Sequence, residues 1–366
     1  MGKEKKKGVK KVFAIIGIAI GGVLATVLTL AVGLVAFLSI TEYKPGELDE
    51  IAVNNNQSNK VSLNQNYSLF SWNVGYCALD ENSDFFMDGG SMVRANSKQQ
   101  VENNAKEISD ATTSQNVDFV FYQEVDEDSS RSKRVNEVNI FSSKFSNFGY
   151  TYCYNYKTNY VPYPLPTLGK VSSGLLTLSK YQIKEAHRKK LPSTFSWPVS
   201  LVNLKRCLNI TRLTINDSSK ELVLINLHLE AYDEGDAKIA QTKVLLDVLK
   251  EEEQKGNYVI AGGDFNQTFS SVDMNKYPVK DNNWVPGFVD EEELTNINYT
   301  PLVDDSVPSC RLLDHPYKGT KKSDNQYYVI DALIVSNNVT VNDSHLVDYD
   351  FKNSDHNPFY LNFKLI

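Results

Sequence analysis

Cysteine is scarce in this chain, and its spacing argues against several classes of protein. Only four cysteines occur in 366 residues, at Cys77, Cys153, Cys207 and Cys310. No CxxC pair and no zinc-finger spacing is present, which argues against a structural zinc site. The spacing is compatible with buried thiols and equally with one or two disulfides. The sequence also lacks an internal repeat, which argues against a solenoid or a propeller.

Charge is missing from one long N-terminal segment. The 29 residues 12–40 contain no charged side chain, and six lysines precede them within residues 1–11. About 20 apolar residues suffice to span a bilayer, whereas the apolar part of a cleaved signal peptide has about 7–15. Residues 12–40 are therefore interpreted as an uncleaved signal-anchor and single transmembrane helix. The lysines predict a cytoplasmic tail at residues 1–11, a cell-membrane location, and an extracytoplasmic position for everything after the helix.

The first 11 residues differ sharply in net charge from the rest of the chain. Residues 1–11 carry a net charge of +5, whereas the whole chain carries −7, which leaves −12 for the remainder. A strongly acidic domain does not attract nucleic acid over long distances. This balance counts against a protein that coats DNA with high affinity. It does not exclude a nuclease that uses local contacts and metal ions.

The rest of the chain divides into a linker and one large domain. Residues 41–65 are rich in Asn, Ser and Gln, a composition that predicts a polar linker between membrane and domain. Within residues 66–366, apolar strands alternate with amphipathic helices predicted over residues 97–115 and 234–253. This order indicates a layered α/β domain. Residues 268–325 show no periodicity and are predicted to form long loops.

Polar side chains follow the apolar core of six predicted strands. They are Asn73, Glu124, His228, Asp264 with Asn266, Asp331, and Asp355 with His356. Folds of the α/β class place ligands and catalytic groups at strand ends, because the sheet fixes the backbone while the tips converge. Each residue alone also fits a turn, a solvated strand end or a structural histidine. The same pattern at six strands favours one common site.

Two glycines, Gly262 and Gly263, come directly before Asp264. Paired glycines after a strand are typical of a tight turn or of the close approach of a ligand. We therefore expect them to let a substrate group approach the backbone beside Asp264 and Asn266.

The ordered set of strand-end segments resembles the metal-dependent endonuclease/exonuclease/phosphatase (deoxyribonuclease I-like) superfamily. The matching segments, in chain order, are SWNVG, FYQEV, INLHLEA, GGDFNQ, YVIDALIV and SDHNP. The resemblance covers residues 66–366 and rests on the order of the segments rather than on any single one. It implies a catalytic domain built as a four-layer α/β sandwich, in which two packed, mostly antiparallel sheets are flanked by helices.

The resemblance also implies a metal site for phosphoester hydrolysis. Glu124, Asn73 and Asp355 are the implied ligands of Mg²⁺, with Mn²⁺ as an alternative. Hard divalent cations prefer oxygen ligands, and they neutralise the charge that makes a phosphate ester resist attack.

The remaining strand-end residues are implied to carry the reaction itself. His356 would act as the general base that activates water, and Asp331 would fix its tautomer. Asp264 and Asn266 would orient the water and the phosphoryl oxygens. His228 would stabilise or protonate the leaving group.

Three basic residues after the strand of Glu124 are candidates for substrate binding. Arg131, Lys133 and Arg134 could bind a substrate phosphate, since Arg suits bidentate contacts to oxyanions, and Arg131 is the residue predicted to bind substrate. The alternative is a solvated charged surface, because acidic residues surround the three.

These features predict a membrane-anchored, Mg²⁺-dependent phosphoester hydrolase. The substrate class stays open between phospholipids or small phosphoesters and nucleic acid. The expected partners are the lipid bilayer, through residues 12–40, and a phosphoester substrate, and no obligate protein partner is evident. The alternative is a catalytically degenerate surface binding module of the same fold.

Overall fold

A computed structural model describes residues 2–231 and 236–366 of the chain, with side chains from residue 8 onward. Helices α1 to α5 span Gly2–Ile40, Lys98–Ser114, Glu137–Lys144, Asp236–Lys255 and Glu291–Thr295. The helix predicted over 97–115 is confirmed as α2, with the Ser97 side chain accepting a hydrogen bond from the Gln100 N–H as its N-cap. The start of the helix predicted over 234–253 lies outside the described residues, and α4 forms the rest.

The described residues form 18 strands. In chain order, β1 to β18 are Leu48–Glu50, Val53–Asn54, Asn66–Asn73, Phe119–Asp126, Gly149–Val161, Gly169–Ser179, Ile183–Lys190, Cys207–Thr214, Glu221–His228, Tyr258–Asp264, Gln267–Phe269, Gly287–Val289, Tyr299–Leu302, Cys310–Arg311, Tyr327–Tyr328, Asp331–Ser336, Val339–Leu346 and Phe359–Leu365.

Fourteen of these strands build two seven-stranded sheets. The first sheet has the order β1-β7-β8-β9-β10-β16-β13, and the second has the order β17-β18-β3-β4-β6-β5-β2. Within the two sheets, neighbours are antiparallel except for the parallel pairs β3–β4 and β9–β10. These two parallel pairs matter for function, because parallel neighbours end at the same edge of a sheet.

The sheets pack face to face, and helices cover their outer faces. Leu69 and Phe119 of the second sheet and Leu333 of the first are fully buried in one cluster between the sheets. Phe141 of α3 packs with α2 on the second sheet, and Leu249 of α4 packs on the first. Each such side chain contributes about 1.5–3 kcal/mol by leaving water. The predicted four-layer α/β sandwich is confirmed.

The segment predicted as a polar linker, residues 41–65, is partly built into the domain. Strand β1 pairs with β7 at the edge of the first sheet, and β2 pairs with β5 at the edge of the second. Val61 is fully buried and bridges to Ile215. Strands of two or three residues attach through backbone hydrogen bonds, so polar composition did not reveal them.

Residues 268–325 also contain more regular structure than predicted. Strands β12, β13 and β14 and helix α5 lie within this stretch, and β13 pairs with β16 as the last strand of the first sheet. Elements of two to five residues are too short to show a hydrophobic period, which explains the difference.

A buried carboxylate fastens the C-terminal end of α4 to the first sheet. The Glu252 side chain accepts hydrogen bonds from Arg212 Nη1 at 3.1 Å, Lys255 Nζ at 2.8 Å and Asn257 Nδ2 at 2.7 Å. Burial by itself raises the pKa of Glu252, but these hydrogen bonds outweigh it and lower the pKa to about 2. The group therefore stabilises the folded state when it is ionised.

We expect Glu252→Gln to lower the free energy of unfolding at pH 7 by roughly 2–3 kcal/mol. An unfolded glutamate titrates near 4.3, above the folded value of about 2. The stabilisation is therefore complete above about pH 5 and disappears as the pH falls toward 2. Urea denaturation in detergent at several pH values measures the difference. Glu251→Gln, at an exposed neighbouring position, is the control, and equal stability of Glu252→Gln and wild type at pH 7 would contradict the interpretation.

Candidate active site

The polar strand ends converge because of how the strands pair. His228 ends β9 and lies opposite Asp264 at the end of the parallel strand β10. Asp264 in turn lies opposite Asp331, the first residue of the antiparallel strand β16. On the second sheet, Asn73 ends β3, while His356 lies just before β18, which pairs antiparallel with β3. The polar strand ends of both sheets thus lie at the same end of the sandwich.

His356 and Asp331 form the shortest contact in this group. His356 Nδ1 lies 2.7 Å from Asp331 Oδ2, and both side chains are buried. The backbone around the pair is fixed by Ser309, whose Oγ accepts the N–H of Asp331, and by Trp72, whose Nε1 donates to the His356 carbonyl. In the neutral ring, with Nδ1–H donating to Asp331, the second ring nitrogen of His356 carries a lone pair that can accept a proton.

The environment of His356 favours its protonated form. Burial by itself lowers the pKa of the ring, but the negative charge of Asp331, with a further contribution from Asp264, raises it well above its usual value. A histidine in such surroundings is a strong proton acceptor. Its Nε2 lies 3.4 Å from Asn73 Nδ2 and 3.7 Å from Asp264 Oδ2.

Asp264 is the centre of the polar network. Its Oδ2 accepts from Asn73 Nδ2 at 3.0 Å and lies 3.4 Å from His228 Nε2, while its Oδ1 accepts the Asn266 N–H at 2.8 Å. Burial raises the pKa of Asp264 to about 7, and the nearby charge of Asp331 adds to the rise. Asn266 completes the network by donating from Nδ2 to the Leu229 carbonyl.

The two glycines before Asp264 do not form a turn. Both lie inside β10, where a Cβ at Gly262 would collide with the Ala332 carbonyl and one at Gly263 with the Leu227 carbonyl. Gly263 also has a φ of +136°, which favours glycine. The glycines therefore let neighbouring strands approach closely, and the expectation that they admit a substrate group is wrong.

His228 is a neutral imidazole in this setting. Burial lowers its pKa well below the usual value, and the positive charges of Arg206 and His356 lower it further. Among the described residues its buried Nδ1 has no hydrogen-bond partner, whereas its Nε2 lies 3.4 Å from Asp264 Oδ2. A neutral ring in this position offers a hydrogen bond rather than a full proton to a neighbouring oxygen.

The predicted metal ligands also lie at this edge, and their chemistry fits a hard divalent cation. Glu124 lies at a bulge in β4 with a φ of +57°, and Asn73 Nδ2 lies 3.4 Å from its Oε1. Burial raises the pKa of Asp355 to about 6, and the negative charge of Glu124 contributes to that rise. Two carboxylates that repel each other beside an amide oxygen form a donor set that a cation would stabilise.

A glycine makes room for one of these carboxylates. Gly75 has a φ of +51°, and a Cβ built on it would lie 2.8 Å from Asp355 Oδ1. The described residues contain two other groups of potential metal ligands, and within each group the ligand atoms all lie within 4.8 Å of one another. Both groups contain His356. One combines it with Asp264 and Asp331, the other with Cys310 and Asp355. Because Asp331 already accepts from His356, the oxygen set around Glu124 suits a hard cation better.

Of the three basic candidates, Arg131 is the one that lines the cavity. Its guanidinium donates twice to Asp126, at 3.1 and 3.0 Å, stacks 3.8 Å from the Tyr76 ring and lies 3.6 Å from Glu124 Oε2. Arg134 pairs with Asp128 at the surface instead, which matches the solvated alternative for that residue. Arg131 is thus held rigidly beside the candidate metal ligands.

A cavity of about 410 Å³ is lined by polar residues of this site, namely Glu124, Arg131, His228, Asp264, Asn266, Asp355 and His356. Apolar and aromatic side chains form much of the rest of its wall, among them Leu79, Phe85, Leu204, Trp284, Leu312 and Tyr328. Several polar residues of the wall were not predicted from the sequence, and Asn155 and Arg206 are two of them. Asn155 lies at a bulge in β5, and Arg206 donates from Nη1 to the His228 carbonyl at 3.3 Å. Neither ends an apolar strand, so no local pattern marked them.

Comparison with known proteins agrees with this arrangement. Residues 70–356 match the sequence profile of the Endonuclease/Exonuclease/phosphatase family. No curated protein sequence matches the chain significantly.

Solved structures share the fold at low sequence identity. The endonuclease/exonuclease/phosphatase from Beutenbergia cavernae DSM 12333 is 13% identical with a TM-score of 0.56, over 82% of this chain and 72% of that one. The endonuclease/exonuclease/phosphatase from Bacteroides vulgatus is 14% identical with a TM-score of 0.53, over 82% and 100%. D. rerio TDP2 complexed with single strand DNA product is 14% identical with a TM-score of 0.50, also over 82% and 100%. Since the profile spans more than half of the sequence, the chain belongs to the endonuclease/exonuclease/phosphatase family.

Proposed function

We propose that this chain is a membrane-anchored, Mg²⁺-dependent phosphoester hydrolase. The observation that carries the proposal is the His356–Asp331 contact of 2.7 Å, which leaves the second ring nitrogen of His356 directed toward Asp264 and Asn73. A buried base oriented by a carboxylate is the arrangement that proton abstraction from water requires. Family membership supplies the phosphoesterase fold in which it lies.

Glu124, Asp355 and Asn73 would hold the cation. When bound there, Mg²⁺ would neutralise phosphate charge and polarise a phosphoryl oxygen. His356 Nε2 removes a proton from the attacking water, and Asp331 stabilises the imidazolium that results.

The other polar residues position the reacting groups. Asp264 and Asn266 orient the water and a phosphoryl oxygen, because both are buried and fixed by hydrogen bonds to the backbone. His228 donates a hydrogen bond to the leaving oxygen as charge develops on it. Arg131 binds a further phosphate oxygen from its place beside Glu124.

The anchor proposal rests on α1. Within the described residues, the Gly8–Ile40 part of α1 has 33 residues and a mean hydropathy of 2.5, so it is long and apolar enough to cross a membrane. Of the most apolar 18-residue stretch of this helix, 6% is buried against the rest of the protein, whereas the core helix of a soluble fold is mostly buried. We propose that it spans the membrane with residues 1–11 in the cytoplasm and the catalytic domain outside.

A substrate panel tests the phosphoesterase proposal. The full chain in detergent is assayed with Mg²⁺ against single-stranded DNA, RNA, a phospholipid and a soluble phosphodiester. We expect hydrolysis of at least one substrate, and we expect chelation by EDTA to abolish it. Activity that survives EDTA would overturn the metal assignment. Binding of a substrate without hydrolysis would favour the alternative of a degenerate binding module.

A further inference from the structure

Two loops of the domain expose large apolar side chains to solvent. Leu165, between β5 and β6, is 88% exposed, and Tyr163 of the same loop is also exposed. Trp197, between β7 and β8, is 66% exposed, and Val199 follows it. We call residues 162–168 and 193–204 the rim loops. A group of Trp, Tyr and Leu side chains that are mostly exposed is uncommon on a surface that faces only water.

The rim loops are neighbours. The Tyr156 hydroxyl in β5 donates to the Val202 carbonyl at 3.0 Å, so the second rim loop runs along the outer half of the strand that leads into the first. Tyr163 also packs edge to face against Phe86, with 6.0 Å between ring centroids. Both loops also border the same cavity, through Leu168 of the first and Phe195 of the second, which places them in one region of the molecule.

The same region adjoins the exit of α1. Leu38, in the last turn of α1, is buried, and the helix contacts β5. Two residues beyond the helix, Glu42 pairs with Lys205 Nζ at 2.9 Å, and that same Nζ donates to the Ser200 carbonyl in the second rim loop. If α1 spans a bilayer as proposed, these contacts hold the rim loops next to the point where the helix leaves the membrane.

The rim loops also line the candidate active site. Leu168 of the first loop and Phe195 and Leu204 of the second contribute to the apolar wall of the cavity. Tyr and Trp rings prefer the interface between headgroups and acyl chains, where a polar tip stays wet and the ring leaves water. A cavity lined by both apolar and polar side chains and bordered by such loops suits a molecule that has an apolar and a polar part.

We propose that the rim loops insert Tyr163, Leu165 and Trp197 into the interface of the bilayer that holds α1, so that the cavity receives an amphiphilic phosphoester from that bilayer. This inference rests on the anchoring and the phosphoesterase activity proposed above. The occupant of the exposed surface is a lipid bilayer, because the anchor exit and the exposed rings lie together.

Tryptophan fluorescence tests the docking without requiring activity. The full chain is reconstituted into phosphatidylcholine vesicles with or without brominated acyl chains, which quench indoles at the interface. We expect quenching in the wild type, loss of most of it in Trp197→Phe, and its retention in Trp284→Phe, whose indole donates to the Ala231 carbonyl beside the cavity. Equal quenching of wild type and Trp197→Phe, or no quenching, would overturn the docking.

Two further measurements separate this inference from the proposals beneath it. Release of the chain from the vesicles by an alkaline wash would overturn the anchoring and the docking together, whereas retention without quenching would overturn the docking alone. For the substrate, Leu165→Asp with Trp197→Asp should reduce hydrolysis of a vesicle-borne phospholipid about tenfold and leave a soluble phosphodiester unaffected. An equal rate of the variant and the wild type on the vesicle-borne lipid would overturn the lipid substrate. If the wild type hydrolysed no substrate, the phosphoesterase proposal would be overturned, whereas the docking measured by quenching would be unaffected.

Discussion

His356→Gln is expected to retain less than about one thousandth of the wild-type kcat, because a glutamine amide cannot accept the proton that the imidazole removes from water. The side chain is buried, its Nδ1 lies 2.7 Å from Asp331 Oδ2, and its Nε2 lies 3.4 Å from Asn73 Nδ2, so the base is held in one orientation. The loss should appear in kcat rather than in KM, since the proton moves only in the transition state. Steady-state hydrolysis by the detergent-solubilised chain measures both.

A matched pair of variants distinguishes this role from a structural one. Asp331→Asn keeps the size of the side chain but removes the charge that supports the imidazolium, and we expect a loss of about a hundredfold. His345→Gln, at a half-buried position on β17 outside the cavity, should keep full activity. Full activity of His356→Gln with an unchanged melting temperature would refute the assignment of His356 as the base.

Glu124→Gln should raise the Mg²⁺ concentration needed for half-maximal activity by about 10–100-fold. The variant exchanges one negatively charged oxygen of the ligand set for a neutral amide and relieves the repulsion that raises the pKa of Asp355. The activity should therefore recover in part at high Mg²⁺, which distinguishes a lost ligand from a misfolded protein. A titration of the initial rate against Mg²⁺ gives the shift.

The control for this prediction lies four residues further along the chain. Asp128 pairs with Arg134 and Lys170 outside the cavity, so Asp128→Asn should leave the Mg²⁺ dependence unchanged. If Glu124→Gln needed no more Mg²⁺ than the wild type, the cation would have to be held by another group, and the set of Asp264, Asp331 and His356 would be the next candidate.

Most of the site could be predicted from the sequence, because its residues share a local signature. His228, Asp264 and Asp331 stand at the boundary of apolar strands, and pairing of those strands brings the boundaries together. An apolar run of five to eight residues is visible without knowledge of its neighbours. The order of these boundaries along the chain was enough to identify the family and the layered fold.

What was missed depends on contacts between distant parts of the chain. Arg206 reaches the cavity because the connection from β7 to β8 folds back toward His228, and nothing near it in the sequence records this. The role of Gly263 was misread for the same reason, since the close approach is to Leu227 of a neighbouring strand. The edge strands β1 and β2 pair through backbone atoms, which carry no side-chain pattern.

The pairing of β1 with the first sheet limits the distance between the end of α1 and the catalytic domain. Seven residues connect the end of α1 at Ile40 to the start of β1 at Leu48, and one of them, Glu42, is paired with Lys205 of the domain. Fully extended, they reach about 25 Å, which is less than the thickness of the bilayer itself. With α1 in a membrane as proposed, so short a connection would keep the domain at the membrane surface next to its own anchor and away from more distant substrates.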